Sequence, residues 1–327
     1  MSNYFVKDYL DEKRIEQAPT REGFGKALVA IGEQDERVVG LTGDLSESTR
    51  MDGFQKSFPE RFFEVGVAEQ NMMGIAAGLA LSGKIPFITS YATFSPGRNW
   101  DQLRVSVCYS DANVKVIGCH SGLSVGPDGA THQALEDIAI TRVLPNLIVV
   151  APADSNEAYQ ATIALAKYEG PAYMRLTREK SPVFTSSSQP FVVGKAIHAL
   201  AGDDVTIITA GPISYEVLQA LEGLSDRDIT CDVIFCPTIK PLDQDTILKS
   251  VRRTKAVVTV EEHQIDGGLG SAVCELLAEH HPVPVERVGM PNSFGQSGQP
   301  NELWATYGLT RKSITDAVKR AIKRKSS

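Results

Sequence analysis

Apolar residues along this chain fall into two alternating patterns. Short, continuous apolar runs read as buried strands: Val38-Val-Gly-Leu-Thr, Ile85-Pro-Phe-Ile-Thr, Val114-Lys-Val-Ile-Gly, Leu147-Ile-Val-Val and Ala172-Tyr-Met-Arg-Leu. Between them lie longer stretches with helical spacing, at 21–33, 69–82, 100–109 and 155–169. Asp154-Ser-Asn-Glu157 ahead of an Ala-rich run predicts an N-terminal cap. Continuous apolar strands alternating with helices predict an α/β fold with a parallel sheet covered on both faces.

Residues 179–190 break the pattern. The stretch is polar and rich in Ser and Pro, and it predicts a linker. A second α/β unit follows, with strands at Val205-Thr-Ile-Ile-Thr-Ala, Cys231-Asp-Val-Ile-Phe and Ala256-Val-Val-Thr-Val. Its helices are expected at 214–224, 269–280 and 313–323. The expected architecture is two consecutive three-layer α/β domains, residues 12–185 and then a smaller 191–327. No internal repeat or low-complexity array interrupts them.

Composition narrows the function classes. At 327 residues the chain is long enough for two cores. With 33 Lys and Arg against 40 Asp and Glu, both signs dispersed, it is not built for a nucleic-acid polyanion. The main basic cluster, Lys319, Arg320, Lys323, Arg324 and Lys325, reads as the cationic last turn of a helix with a solvated tail. The most apolar stretch, 72–81, is too short to span a bilayer and is interrupted by Gly74 and Gly78. The N-terminal Met-Ser-Asn-Tyr-Phe-Val-Lys-Asp lacks the order of a signal peptide. Five cysteines form no C-x-x-C pair and no cluster with histidine, so reduced core thiols and no zinc site are expected. These features together predict a cytoplasmic protein without membrane contact.

Three stretches carry candidate chemistry. In Arg61-Phe-Phe-Glu-Val-Gly-Val-Ala-Glu69-Gln-Asn-Met, Glu69 lies where a short strand runs into a helix. The helix N-terminus favours its anion and a dry pocket its neutral form, so it is placed to exchange a proton with a ligand. It could equally do no more than complement the helix dipole. The loop Cys119-His120-Ser-Gly-Leu-Ser-Val-Gly-Pro-Asp128-Gly129-Ala-Thr-His132-Gln follows a strand, at the edge where open parallel sheets bind ligands. Its two imidazoles and carboxylate suit a polyhydroxylated or phosphorylated molecule. His132 as a helix cap and Asp128 in an Asp-Gly turn is the bland alternative. In Tyr91-Ala-Thr-Phe94-Ser-Pro-Gly-Arg-Asn-Trp100, Phe94 either stacks on a flat ring or packs in the core.

Elsewhere, Arg21, Ser48 and Arg178 stand apart and read as surface residues. Gly267-Gly-Leu-Gly270 lacks the spacing of a dinucleotide loop and reads as close packing of a helix start, with His263 structural.

Taken together these segments resemble the thiamine diphosphate enzymes of the transketolase family. The resemblance spans nearly the whole chain, as pyrimidine-binding domain plus C-terminal domain. Val65-Gly-Val-Ala-Glu69-Gln-Asn-Met matches the family's glutamate motif, and Ser124-Val-Gly-Pro-Asp128-Gly-Ala-Thr-His132-Gln its substrate loop. The resemblance implies that Glu69 hydrogen-bonds N1′ of the aminopyrimidine and that Phe94 stacks on that ring. It implies that His132 contacts donor hydroxyls and moves protons, while Asp128 recognises the hydroxyl beside the acceptor aldehyde. Arg21, Ser48, His120 and Arg178 match phosphate-binding positions.

Two departures qualify the match. Gly97 falls where many transketolases place a second aromatic. No Gly-Asp-Gly followed by a downstream Asn, the diphosphate and magnesium motif, is found; Gly43-Asp-Leu does not qualify. The resemblance therefore implies the C-terminal subunit of a split transketolase, moving a two-carbon ketol unit from a ketose phosphate to an aldose phosphate. Magnesium and diphosphate would be held by an N-terminal partner subunit, in an assembly with two copies of each chain (α2β2). The beta subunit of a 2-oxo acid dehydrogenase usually carries paired histidines in this loop, and a deoxyxylulose-phosphate-synthase-like enzyme usually comes as one long chain. A degenerate regulatory partner is the non-enzymatic alternative, against which Glu69, Asp128 and His132 together argue.

Overall fold

The computed structural model describes residues 4–325. The first three residues of the N-terminal segment and the two serines of the expected solvated tail lie outside them.

The first five predicted strands form one sheet of seven. Its order is Thr238–Lys240, Ile148–Val150, Ala172–Arg175, Lys115–Cys119, Ile85–Tyr91, Val38–Thr42 and Phe62–Glu64. All neighbours are parallel except Thr238–Lys240, which closes one edge antiparallel. Alternate residues serve opposite faces, as the pleat requires. Phe87, Ile117 and Met174 pack with Phe24, Leu28 and Ala161 of helices Thr20–Gln34 and Ser155–Lys167. Ile88, Val116 and Tyr173 pack with Met72, Met73 and Val107 on the other side. Both faces are thus buried, which is why these strands read as unbroken apolar runs.

The second sheet has five strands, ordered Val285–Met290, Val257–Gln264, Val205–Thr209, Cys231–Phe235 and Ile197–Leu200, with only the last antiparallel. Helices Ser214–Ser225, Leu269–His280 and Arg311–Lys325 form as the spacing predicts. Two arginines of the basic C-terminal cluster, Arg320 and Arg324, pair with Glu286.

Three expectations need correction. The stretch 179–190, expected as a polar linker, is anchored like a joint: Ser181–Pro182 pairs with Gln17–Ala18, and Val183, Phe184 and Thr185 are buried. Asp154, which caps its helix through Glu157 N at 2.9 Å, also accepts from Phe184 N (2.8 Å) and Thr185 N (2.6 Å). One buried carboxylate therefore ties helix start to joint. The second correction concerns the helix predicted over 100–109, which becomes π-helical at Leu103–Tyr109. The wider turn brings Leu103, Val107 and Cys108 to the core and leaves Val105 and Tyr109 exposed. Third, strand Thr238–Lys240 comes from beyond the joint yet completes the first sheet, because an edge needs only three paired residues that periodicity does not flag.

The Gly-rich run packs a helix start, as predicted. Glu261 accepts from Leu269 N (2.7 Å) and Gly270 N (2.8 Å), and a Cβ at Gly268 would lie 2.0 Å from its carboxylate. His263 is fully buried; its Nε2 accepts from Ala139 N at 3.3 Å and Nδ1 lies 2.8 Å from Gln264 O. Burial pushes its pKa down to about 4, so it stays neutral in a structural position. All five cysteines are free, and all but Cys274 are buried.

Candidate active site

Every candidate residue but Arg21 lies at or beyond the C-terminal end of a strand of the first sheet. Ser48 follows Val38–Thr42, Glu69 follows Phe62–Glu64, and Phe94 follows Ile85–Tyr91. His120, Asp128 and His132 follow Lys115–Cys119, and Arg178 follows Ala172–Arg175. Parallel strands put these ends on one edge, so residues scattered through the chain meet there. Arg21 joins them from the first turn of helix Thr20–Gln34.

Glu69 begins helix Glu69–Leu81 and is 1 % exposed. Ser90 Oγ donates to its Oε1 at 3.2 Å, and Arg98 Nη1 to its Oε2 at 2.9 Å. Asn99 Nδ2 donates to the Glu69 carbonyl at 3.1 Å and locks the helix start against the loop. No side chain caps this helix, so the carboxylate faces unsatisfied backbone donors and a half-exposed arginine.

Phe94 is half-buried and outside the hydrophobic cores, whereas Trp100 packs against one and donates Nε1 to Ile140 O at 2.7 Å. The Arg98 guanidinium lies 4.7 Å from the Phe94 ring centre, and His132 meets that ring edge-on at 5.5 Å. Gly97 admits no side chain, since a Cβ there would lie 2.0 Å from Thr93 O. Arg98, not a second aromatic, covers that side of Phe94.

Tyr91 links Phe94 to the histidines. Its ring lies 3.9 Å from that of His120 and 6.0 Å from that of His132. His120 is 2 % exposed, takes a left-handed backbone at φ 57°, and leaves Nδ1 without a partner. A β-substituted residue held there is strained, and such strain gathers at functional sites. Burial, then the charges of Arg21 and Arg178, lower its pKa to about 3.

The sign of the linkage follows from that depression. Between pH 6.5 and 3 the unfolded chain binds a proton that folded His120 refuses, so its contribution to stability is complete above 6.5 and lost as the pH falls. In the isolated chain, histidine NMR should find no His120 titration from about pH 5.5 to 8.5; a midpoint near 6.5 would contradict the buried geometry.

Arg21, Ser48 and Arg178 are not the surface residues that their isolation in the sequence suggested. Arg21 is half-buried, donates Nη1 to the Ser48 carbonyl, and leaves Nε unpartnered. Burial and then repulsion from Arg50 lower its pKa, with Arg178 adding to the repulsion. Arg178 donates to Asp128 Oδ1 at 2.9 Å, so two candidates expected to touch ligand pair with each other. Arginines held within mutual repulsion form a site that an oxyanion would relieve. His132, half-buried, shares a 2.8 Å hydrogen bond with Thr131 Oγ1.

Sequence reasoning missed Ser90, Arg98, Arg50 and the role of Tyr91. Tyr91 ends its strand and carried that signal; Arg50 has a left-handed φ of 65° that only the fold reveals. Among the described residues, no three His, Cys, Asp or Glu side chains gather where they could hold a metal ion. No helix among them is long and apolar enough to cross a membrane.

Comparison with known proteins identifies the family of both domains. Residues 16–183 match the family model of the transketolase pyrimidine-binding domain, and residues 194–314 that of the transketolase C-terminal domain. A putative transketolase C-terminal section from Methanocaldococcus jannaschii is 42 % identical over 93 % of this chain and 96 % of its own length. A 6-deoxy-6-sulfo-D-fructose transketolase subunit from a Clostridium species is 38 % identical over 96 % of this chain and 98 % of its own. Among solved structures, a split-gene transketolase described as an inactive beta4 tetramer superposes with a TM-score of 0.88 at 44 % identity, covering 94 % of this chain and 99 % of that one. With two family domains matched in order and full-length relatives above the identity that marks common descent, the chain belongs to the transketolase family.

Proposed function

We propose that this chain is the C-terminal, pyrimidine-binding subunit of a split transketolase, which transfers a two-carbon ketol unit between sugar phosphates. The observation that carries the reading is Glu69: a carboxylate 1 % exposed at a helix N-terminus, beside a half-buried aromatic ring. That pair fits an aminopyrimidine, with the carboxylate on a ring nitrogen and Phe94 on the ring face. Bound thiamine diphosphate would supply the carbanion and electron sink that ketol transfer needs.

This chain's residues do the rest. Glu69 would hold the pyrimidine N1′ and exchange a proton there, while Ser90 keeps its carboxylate in place. Arg98, paired with Glu69 and stacked on Phe94, must yield part of that position to the ring. His132, at the mouth beside Phe94, is placed to move protons on donor hydroxyls. His120, neutral, offers Nδ1 to a substrate oxygen. Arg21, Arg178 and the neighbouring Arg50 attract the phosphate, with Ser48 holding Arg21 through its carbonyl.

Magnesium and diphosphate are assigned to a partner subunit, with two copies of each chain in the assembly. The outer face of helix Glu69–Leu81 supports that partnership, because Gly74, Ile75, Gly78 and Leu81 are all exposed. Val67, Leu81 and Tyr109 are 70, 69 and 86 % exposed, apolar side chains of the kind that partners cover. A cytoplasmic setting and a pentose-phosphate role remain part of this proposal. A sulfonated or branched sugar would meet the same cations, so the acceptor is assigned by class as an anionic 2-hydroxyaldehyde.

Asp128 tests the reading. In the assembled enzyme, Asp128→Ala should lower kcat/KM by about 10²-fold for acceptors bearing a hydroxyl next to the aldehyde. Acceptors without that hydroxyl should lose much less, since they have no bond to forfeit. Steady-state kinetics on a matched acceptor pair measures this, and equal losses would make Asp128 structural.

A further inference from the structure

The substrate loop is shaped from outside its own domain. Its glycines at 122, 126 and 129 all have left-handed φ values, 84°, 76° and 76°. A Cβ at Gly122 would lie 2.7 Å from the Glu262 carboxylate carbon, one at Gly126 3.2 Å from Gly298 O, and one at Gly129 2.6 Å from Ser297 Oγ. Every one of those neighbours belongs to the C-terminal part of the chain. The loop's glycines therefore serve close approach to a second domain as well as turn geometry.

Glu262 makes the most specific of these contacts. It is 3 % exposed, in strand Val257–Gln264 of the second sheet. A single oxygen, Oε1, accepts from the backbone N of Ser124 at 2.5 Å and from Trp304 Nε1 at 3.0 Å. Ser124 is the second residue of the short helical turn Leu123–Asp128, which ends on the candidate acceptor residue. The far end of the loop is held in parallel: Arg175 donates to Glu262 O (3.1 Å) and Ala134 O (3.3 Å), and Gln133 Nε2 donates to Gln296 O (2.9 Å).

A carboxylate buried this deeply costs more in lost hydration than an apolar side chain would, unless its bonds are needed. Here they fix the backbone at Ser124, in a turn whose Leu123 and Val125 are fully buried and whose Leu123 and Gly126 carbonyls accept from Gln133 Nε2 at 3.3 and 3.2 Å. The second domain thus anchors the loop at Ser124, beside the loop's own contacts.

We infer that Glu262 is a positioning residue: from the C-terminal domain it sets the height of the Ser124–Asp128 turn, and through it the fit of the acceptor's 2-hydroxyl to Asp128. The inference rests on the assignment of Asp128 proposed above. It makes the C-terminal domain a determinant of acceptor choice, although none of the candidate site residues belongs to that domain.

The test uses the assembled enzyme with its partner subunit and cofactor. Wild-type protein must first transfer ketol to a 2-hydroxyaldehyde acceptor; if it does not, the functional reading fails independently of Glu262. Given that activity, Glu262→Ala should raise the acceptor KM about 10-fold and reduce discrimination against the deoxy acceptor by a similar factor, because an error of order 1 Å is enough to lose an oriented contact. Donor KM should change less than about 2-fold. Amide hydrogen exchange over residues 121–134 should accelerate, while the strands of the second sheet keep their protection.

Glu262→Gln should restore wild-type acceptor kinetics, since a carboxamide oxygen can accept both bonds that Oε1 accepts now. Trp304→Phe, which deletes only one donor to Glu262, should shift acceptor KM in the same direction by less. Should Glu262→Ala fail to fold, the Gln and Phe variants decide: Gln like wild type with Phe impaired for acceptor supports the assignment. Unchanged acceptor KM in both Ala and Phe variants overturns it, as does a loss shared equally by donor and acceptor.

Discussion

Glu69→Ala is expected to slow deuterium exchange at C2 of bound thiamine diphosphate by about 10²–10⁴-fold in the assembled enzyme, the usual range for removing a positioned acid or base. That corresponds to about 3–5 kcal/mol of barrier. The fold should survive, for reasons visible in the contacts. Arg98 loses its partner but is 48 % exposed on its side chain, so water replaces the carboxylate. Ser90 Oγ, fully buried, loses one acceptor, which costs about 1 kcal/mol. The helix loses a favourable charge at its first turn, worth under about 1 kcal/mol. Catalytic loss should therefore far exceed structural loss. NMR measurement of the exchange rate, beside a thermal melt, separates the two, and an unchanged exchange rate would remove Glu69 from cofactor activation.

The isolated chain is expected to show no ketol transfer, even with thiamine diphosphate and magnesium added. In the proposed reading, Glu69 and Phe94 address the pyrimidine end of that cofactor. The partner subunit would supply the cation bridge to its diphosphate; among the described residues no three His, Cys, Asp or Glu side chains gather to hold a metal ion. An aminopyrimidine contact alone lacks the electrostatic anchor that would hold the reacting carbon over the substrate loop. Adding a partner chain that carries a diphosphate and magnesium site should restore turnover, and the two chains should co-elute in size-exclusion chromatography. Full activity from this chain alone would end the split-subunit reading.

Where the sequence was legible, one physical rule made it so. Strands buried on both faces are continuous apolar runs, and a parallel sheet brings the loops after them to one edge. Glu69 and Phe94 were recognisable because they follow a strand by five and three residues, and Asp128 and His132 because they lie on the loop that leaves Cys119, nine and thirteen residues on. Arg98 was not, although it lies in the same stretch as Phe94. Its pairing depends on a turn that admits no side chain at Gly97 and swings the guanidinium back over the ring. Arg50 depends likewise on left-handed backbone that no composition signal announces; His120 was named from its loop, but its left-handed backbone was not foreseen. The Ser/Pro-rich stretch read as a linker, but its anchors, Asp154 and strand Gln17–Ala18, lie in distant segments and could not be read from it.

By itself the sequence determined the two α/β units, the sheet edge on which the candidate residues lie, and the family resemblance, because these follow from local periodicity and motif order. Only the tertiary structure decided which side chains complete the site. The bond from Ser124 to Glu262 joins residues 138 positions apart, and Arg98 reaches Glu69 across 29. Contacts of that kind depend on how loops and domains are packed together, and no periodicity in the chain encodes such packing locally.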